Sequence, residues 1–488
     1  MLIAGKVRVF CRRNALRRRE GRYTVHSDFR KEMGRMRKSK LMNMTEGRPL
    51  KLLFVFTVPL LIGNLFQQAY NLADSMIVGK LLGANALAAV GATGSVSFLF
   101  FSLCNGISSG GGIVTAQYYG AQDYIRVKRA IVNSAYIMFF SSVTTSVIAF
   151  LLVPKALGWM GTPEEILPDA VTYMRMTSAS VPLIAVYNYA SSMQRALGDS
   201  RTPLYFLIFS CFLNIGLDLL FVGSFQMGVF GAALATMISQ LTAGAGSLLY
   251  AVKTNPFFRI EKASLPFDRE IAKGAVRMGL PLALQWSMIA ISTTALQAFV
   301  NTFGANAVAA YTTTNRLEQL VQQPFGSMSM ALSTYSSQNY GAHRKDRIRA
   351  GFRDSMLATA ALAAVMFGLM QLFGNNLVNM FVNEQEVIDL GGRALRITSC
   401  FYLFLGTIYA TRGVLNGIGD ALFAFINGVV EIAGRIGLPL LLSMIPGIGV
   451  WAVWYTAGIT WMLAGVSCTF RYFSWRQKNA ESESASGA

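Results

Sequence analysis

Gly83-Ala84-Asn85-Ala86-Leu87-Ala88-Ala89 returns 221 residues later as Gly304-Ala305-Asn306-Ala307-Val308-Ala309-Ala310. The same shift carries Gln117, Tyr119, Gly120 and Ala121 onto Gln338, Tyr340, Gly341 and Ala342. It also carries Gly198-Asp199 onto Gly419-Asp420 and Gly228-Val229 onto Gly449-Val450. One register held across four separated segments is internal duplication, which decides architecture before any motif does.

The duplicated unit is built for lipid. The 488 residues are 53% hydrophobic and 14% charged, where soluble domains carry nearer a quarter charged residues. Residues 135–153, 204–222 and 356–373 approach or reach the roughly 20 apolar residues that cross a bilayer core. Apolar runs divided by Gly, Pro and charge clusters predict about twelve helices, starting near residues 52, 86, 130, 170, 203, 228, 278, 306, 351, 392, 421 and 449. The expected fold is an all-α integral membrane protein. Its twelve transmembrane helices form two six-helix bundles related by a pseudo-two-fold axis along the membrane normal, because an even number of spans per copy preserves orientation. The expected boundaries are a disordered basic tail over 1–44, a first lobe over 45–252, a cytoplasmic linker over 253–277, a second lobe over 278–474 and a disordered tail over 475–488.

The net charge of +19 is not that of a nucleic-acid binder. Residues 1–40 hold 14 Lys/Arg against Glu20, Asp28 and Glu32, so +11 sits in this tail, where it faces anionic lipid. The tail lacks the apolar core of a signal peptide. Met42 and Met44 stand just before the first span, so a start site downstream of the printed one accounts for the tail equally well. Every second loop is basic, from Arg126, Lys128 and Arg129 to Arg344, Lys345, Arg347 and Arg349. The positive-inside rule then puts both termini in the cytoplasm, and the expected location is the plasma (inner) membrane. Cys11 lies in the tail, while Cys104, Cys211, Cys400 and Cys468 read as small buried hydrophobes without metal-ligand spacing. His26 and His343 fall outside the spans, so proton chemistry inside them falls to carboxylates. No nucleophile–base pair or phosphate loop marks an enzyme, and Gly110-Gly111-Gly112 lies in a span, where close helix packing explains it.

Ionisable residues within spans are functional candidates by default. The first half has two, Asp74 and Asp218, with no basic residue at similar depth in their spans. Asp74 lies six residues before Lys80 and Asp218 five before Gly223, roughly 9 and 8 Å inside the outer surface; Thr236 reaches roughly 12 Å. Asn214 shares the face of Asp218 one turn away. Two carboxylates, an amide oxygen and a hydroxyl suit a proton or a hard cation such as Na+. Alternatively each group satisfies a helix–helix hydrogen bond. The 221 shift places Asp74 on Ala295, Asn214 on Arg435, Asp218 on Pro439 and Thr236 on Ala457, so the cluster belongs to one half only. In the other half, Arg316 with Glu318 and Glu431 with Arg435 read as ion pairs, or else as groups facing the cavity.

Pro59 fifteen residues before Asp74, the Asn214-Ile-Gly-Leu-Asp218 pair, Thr236 and the repeated Gln-x-Tyr-Gly-Ala helix ends resemble the multidrug and toxic compound extrusion (MATE) family over about residues 45–475. The closest pattern is the branch named for the DNA-damage-inducible F protein. The resemblance implies a cation-coupled antiporter, with Asp74, Asn214, Asp218 and Thr236 binding H+ or Na+ and no other cofactor. It further implies that Gln67, Tyr70 and Tyr173 line the site or nearby pocket. Pro59 removes a helix hydrogen bond and makes the first helix bendable. A second branch uses acids in its seventh and tenth helices; residues 280–300 and 397–415 contain no Asp or Glu. The expected cargo is organic, cationic and amphiphilic, such as drugs and dyes, carried by a monomer in contact with membrane lipid. The alternative is a flippase of a lipid-linked saccharide or peptidoglycan precursor, whose pyrophosphate would call for unpaired Arg or Lys.

Overall fold

The computed structural model describes residues 41–159 and 161–486; most of the basic tail, with Cys11 and His26, lies outside them. The first lobe comprises α1 (Pro49–Leu82), α2 (Ala84–Gly120), α3 (Tyr124–Trp159), α4 (Leu167–Ala196), α5 (Arg201–Asp218) and α6 (Gly228–Thr254). The second comprises α7 (Arg269–Val300), α8 (Ala305–Gly341), α9 (Lys345–Asn379), α10 (Gln385–Ser399), α11 (Tyr402–Gly417), α12 (Ala421–Ser443) and α13 (Ala452–Ser486). The pair α10 and α11 is one span bent by 53°, which gives the twelve spans in two six-helix bundles expected from the duplication. Nine helices among the described residues are long and apolar enough to cross a membrane, ten with the bent pair. The other two spans, α4 and α8, are long enough but more polar, as helices turned toward a bundle interior are.

The repeated Gly-Ala-Asn-Ala run has a backbone cause. Gly83 and Gly304 have φ of 88° and 90°, which side-chain-bearing residues rarely adopt, and each lets the chain reverse from one long helix into the next at a single residue.

The first helix of each half divides its packing between the lobes. Up to and just past Pro59, Leu53, Phe56 and Leu60 of α1 are sunk among Met328, Leu332, Tyr335 and Ile348 of the second lobe. Above it, Gly63 meets Leu204 and Leu207, and Tyr70 packs with Leu207 and Cys211 of the first lobe. In α7 the inner half lies on α2: a Cβ on Gly110 would stand 2.3 Å from the Ala275 carbonyl oxygen, and Ser102 bonds Ser287 at 2.7 Å. Its outer residues Leu296 and Val300 pack with Tyr311 and Trp454 of the second lobe. Pro59 and Pro281 lie inside these two helices.

The C-terminal ends of α2 and α8 close the seam between lobes. Gln117 Nε2 donates to the Gly417 carbonyl at 3.0 Å, and Gln338 Nε2 to the Ala196 carbonyl at 3.0 Å. Glutamines and carbonyls are each related by the 221 shift, so this is one contact used twice across the pseudo-two-fold axis. A Cβ on Gly120 would stand 1.8 Å from the Gln338 carbonyl oxygen, and one on Gly341 the same distance from that of Gln117.

Three expected boundaries change. Residues 42–44 are not loose tail: the Met42 N–H donates to the Gly198 carbonyl at 3.2 Å and the Met44 N–H to Gln338 Oε1 at 2.9 Å, with Met44 fully buried. The linker contracts to 255–268, because α6 runs to Thr254 and Asp268 caps α7 by accepting from the Glu270 and Ile271 N–H groups. Beyond residue 475 the helix α13 continues to Ser486, with Trp475 packed 5.9 Å from the Tyr472 ring. Cys104, Cys211 and Cys468 are buried as expected, but Cys400 is exposed at the bend of the tenth span.

Gly120→Ala and Gly341→Ala should each lower stability by roughly 1–3 kcal/mol through overpacking. Thermal unfolding in detergent should show this, with Gly368→Ala, where a Cβ meets nothing within 4 Å, leaving the midpoint unchanged.

Candidate functional site

α5 keeps regular geometry as far as Asp218 and then continues as a π-helical turn, Leu219–Ser224. Such turns are rare and concentrate at functional positions, because the extra residue re-aims the side chains beside it. Asp218 and Asn214 are both fully buried. α1 brings Asp74 to the same place, and the two carboxyls lie within hydrogen-bonding reach of each other. One oxygen of each, Asp74 Oδ1 and Asp218 Oδ1, is buried with no donor among the described residues.

The neutral members of the set hold the remaining positions. With its amide oriented to match its neighbours, Asn214 donates to Asp218 Oδ2 at 2.7 Å and accepts from the Thr236 N–H at 3.1 Å. The Tyr70 and Thr236 hydroxyls are 3.2 Å apart. Tyr70 and Tyr173 both stand close enough to Asp74 and Asp218 to feel their charge. All four expected ion-site residues and both tyrosines therefore converge. Gln67 does not join them; it is exposed on α1, near Asn64, which reaches across to Ser327 of α8 at 3.1 Å.

Two ionised carboxylates have no donor to place between them. Their contact is stable only with a shared proton or a bridging cation. Among the described residues no three His, Cys, Asp or Glu side chains come together as a metal site, so Na+ here would depend on two carboxylates and neutral oxygens.

In the second lobe the expected pair of Arg316 with Glu318 does not form. Two residues apart on a helix, they point to different sides: Arg316 is exposed and lines a cavity of about 280 Å³ with Phe381 and Val382, while Glu318 is buried. Glu431 does meet Arg435, at 3.7 Å, but its shorter partner is Arg412. Arg412 also bonds Asn427, and Arg435 Nη1 bonds Ser292 at 3.0 Å.

A family model described as MatE matches residues 59–220 and 281–439, one stretch in each lobe. The chain belongs to the MatE (MATE) family. It is 30% identical over 434 residues to the probable multidrug resistance protein YoeA of Bacillus subtilis (strain 168), covering 87% of this chain and 94% of that one. It is 22% identical over 428 residues to the multidrug export protein MepA of Staphylococcus aureus (strain NCTC 8325 / PS 47), covering 88% and 93%. A crystal structure of MATE in the bent conformation superimposes with a TM-score of 0.85 at 24% identity, covering 91% of this chain and 98% of that one. An outward-facing multidrug resistance MATE family transporter of the MOP superfamily gives 0.84 at 24% identity and the same coverage.

Within this MATE chain, sequence reading missed Arg412 and the π turn after Asp218. Arg412 does carry a sequence signal, being the one basic residue within residues 397–415. The π turn has no such signal, because Leu219–Ser224 is an ordinary apolar run.

Asn214→Ala removes the amide donor to a buried carboxylate, worth roughly 1.5–3 kcal/mol, and should cut transport at least about tenfold while the chain still folds. Arg412→Met leaves Glu431 short of its nearest cation and should cost roughly 3 kcal/mol of stability; Arg316→Met should leave the thermal midpoint in place.

Proposed function

We propose that this MATE-family protein is a secondary antiporter that exports organic, cationic amphiphilic compounds such as drugs and dyes in exchange for protons. The observation that supports this best is the approach of half-buried Asp74 to fully buried Asp218, each with one buried oxygen that has no donor among the described residues. Like charges this close cannot both remain ionised in low dielectric. The site therefore binds a proton readily and yields it when a cationic cargo supplies the balancing charge. The names of the bacterial relatives, a probable multidrug resistance protein and a multidrug export protein, favour the same cargo class.

In this reading both termini face the cytoplasm, a single copy works alone in lipid, and cargo enters the cavity between lobes from inside. A proton reaching Asp74 and Asp218 from outside neutralises the site. The outer half of α1, which carries Asp74 and Tyr70 on the first lobe, then shifts about Pro59 against an inner half held by the second lobe, and the cavity narrows. Na+ on the same oxygens would require both acids ionised around it. A pyrophosphate cargo fits less well, because Arg412 and Arg435 are already engaged with Glu431.

Proteoliposomes with independently imposed proton and sodium gradients test this. A proton gradient alone should drive uptake of cationic dyes, and Asp74→Asn or Asp218→Asn should reduce it by two orders of magnitude or more. Normal exchange in either variant, or drive by sodium alone, would refute proton coupling at this site.

A further inference from the structure

The second lobe holds an acid that antiport at Asp74 and Asp218 does not use. Glu318 sits thirteen residues into α8, roughly 20 Å from its outer end, and is 8% exposed. Its Oε1 is buried without a hydrogen-bond partner among the described residues. Thr398 is within hydrogen-bonding reach of the carboxyl and Tyr402 stands beside it. These two residues flank the point where α10 gives way to α11, so Glu318 faces the 53° bend of the tenth span. The Tyr402 hydroxyl is also buried without a partner.

Charge around Glu318 is arranged in alternation. Arg412 meets Glu431, Glu431 meets Arg435, and Arg435 acts on Glu318. Other titratable groups that reach it are Tyr402 of α11 and Tyr311 of α8 itself. Two arginines against Glu431 alone leave one positive charge over, so the row is neutral only while Glu318 is ionised. The 221 shift places Glu318, Arg412 and Glu431 on Ser97, Ser191 and Ser210 of the first lobe. At these positions the shared scaffold needs no charge.

We propose that Glu318 is a second cation site, a carboxyl that takes one proton from water and returns it at the bend of the tenth span. Uptake forms one O–H bond on the carboxylate and leaves the row with a net positive charge beside the bend. Release restores neutrality. The orphaned oxygen carries the proposal: a buried carboxylate oxygen lacking a donor is costly, and a proton lowers the cost of burying that charge without moving a helix. As a step in transport it rests on the antiport reading above and adds one proton per cycle to those handled by Asp74 and Asp218.

Infrared difference spectroscopy of the purified full chain across pH 5–9 tests the site without transport. Wild type should show a component of the protonated-carboxyl stretch that Glu318→Gln removes and that Asp74→Asn and Asp218→Asn retain. Tyr402→Phe, which leaves every charge in place, should move the pH midpoint of that band, and it serves if Glu318→Gln fails to fold. An unchanged spectrum in a folded Glu318→Gln, or an unmoved midpoint in Tyr402→Phe, overturns the proposal. In proteoliposomes Glu318→Gln should still exchange dye for protons, with about one proton fewer per dye; an unchanged ratio also overturns it. A wild type unresponsive to any proton gradient would refute proton-driven export, while the infrared result would still decide on Glu318.

Discussion

Two glutamines hold the lobes together at the C-terminal ends of α2 and α8. Gln117 and Gln338 each reach across the pseudo-two-fold axis to the carbonyl that ends a helix of the opposite lobe. Gly120 and Gly341 permit the approach, because any side chain there would collide with a backbone oxygen. In lipid the helices gain nothing from excluding water, so association depends on such close backbone contact and on hydrogen bonds. Met44 is bound into the same seam through Gln338, with Asn339 and Arg347 donating to its carbonyl at 3.0 and 3.2 Å. Rearrangement of one lobe against the other must break or preserve this set as a unit.

Division of α1 and α7 between lobes follows from that closure. Each contributes its inner half to the opposite lobe and its outer half to its own, with Pro59 or Pro281 inside the helix. A residue lacking an N–H removes one helical hydrogen bond, so each of these helices has a weak point within the stretch where its packing passes from one lobe to the other. Asp74 stands on the C-terminal portion of α1, beyond Pro59 and on the first-lobe side of the crossing.

The lobes share a scaffold and differ in what they bury. In the first, two acids meet with an amide and a hydroxyl, and no arginine or lysine is placed among them. In the second, Arg435 occupies the position matching Asn214, and charge is met by opposite charge. Burial without countercharge calls for a mobile cation; burial with countercharge leaves the helices held by the protein itself. Glu318 lies between these cases, since Arg435 is near while one of its oxygens has no donor.

Sequence alone determined the two-lobe plan and the span order, and it singled out the first-lobe residues that the fold brings together. The reason is that duplication, apolar length and the cost of ionisable groups in lipid all act locally along the chain. The 221 shift required equivalent folds, and Asp74, Asn214, Asp218 and Thr236 stood out because nothing matched them in the other half. Tertiary structure decided what depended on partners far away in sequence. It set Gln67 on an exposed face of α1 outside the carboxyl cluster, separated Arg316 from Glu318, joined Arg412 to Glu431, and drew Met42–Met44 into the seam. Helix period and depth can place a residue on a face, but which neighbour that face meets is set by how α1 and α7 cross between lobes, and no local pattern encodes that crossing.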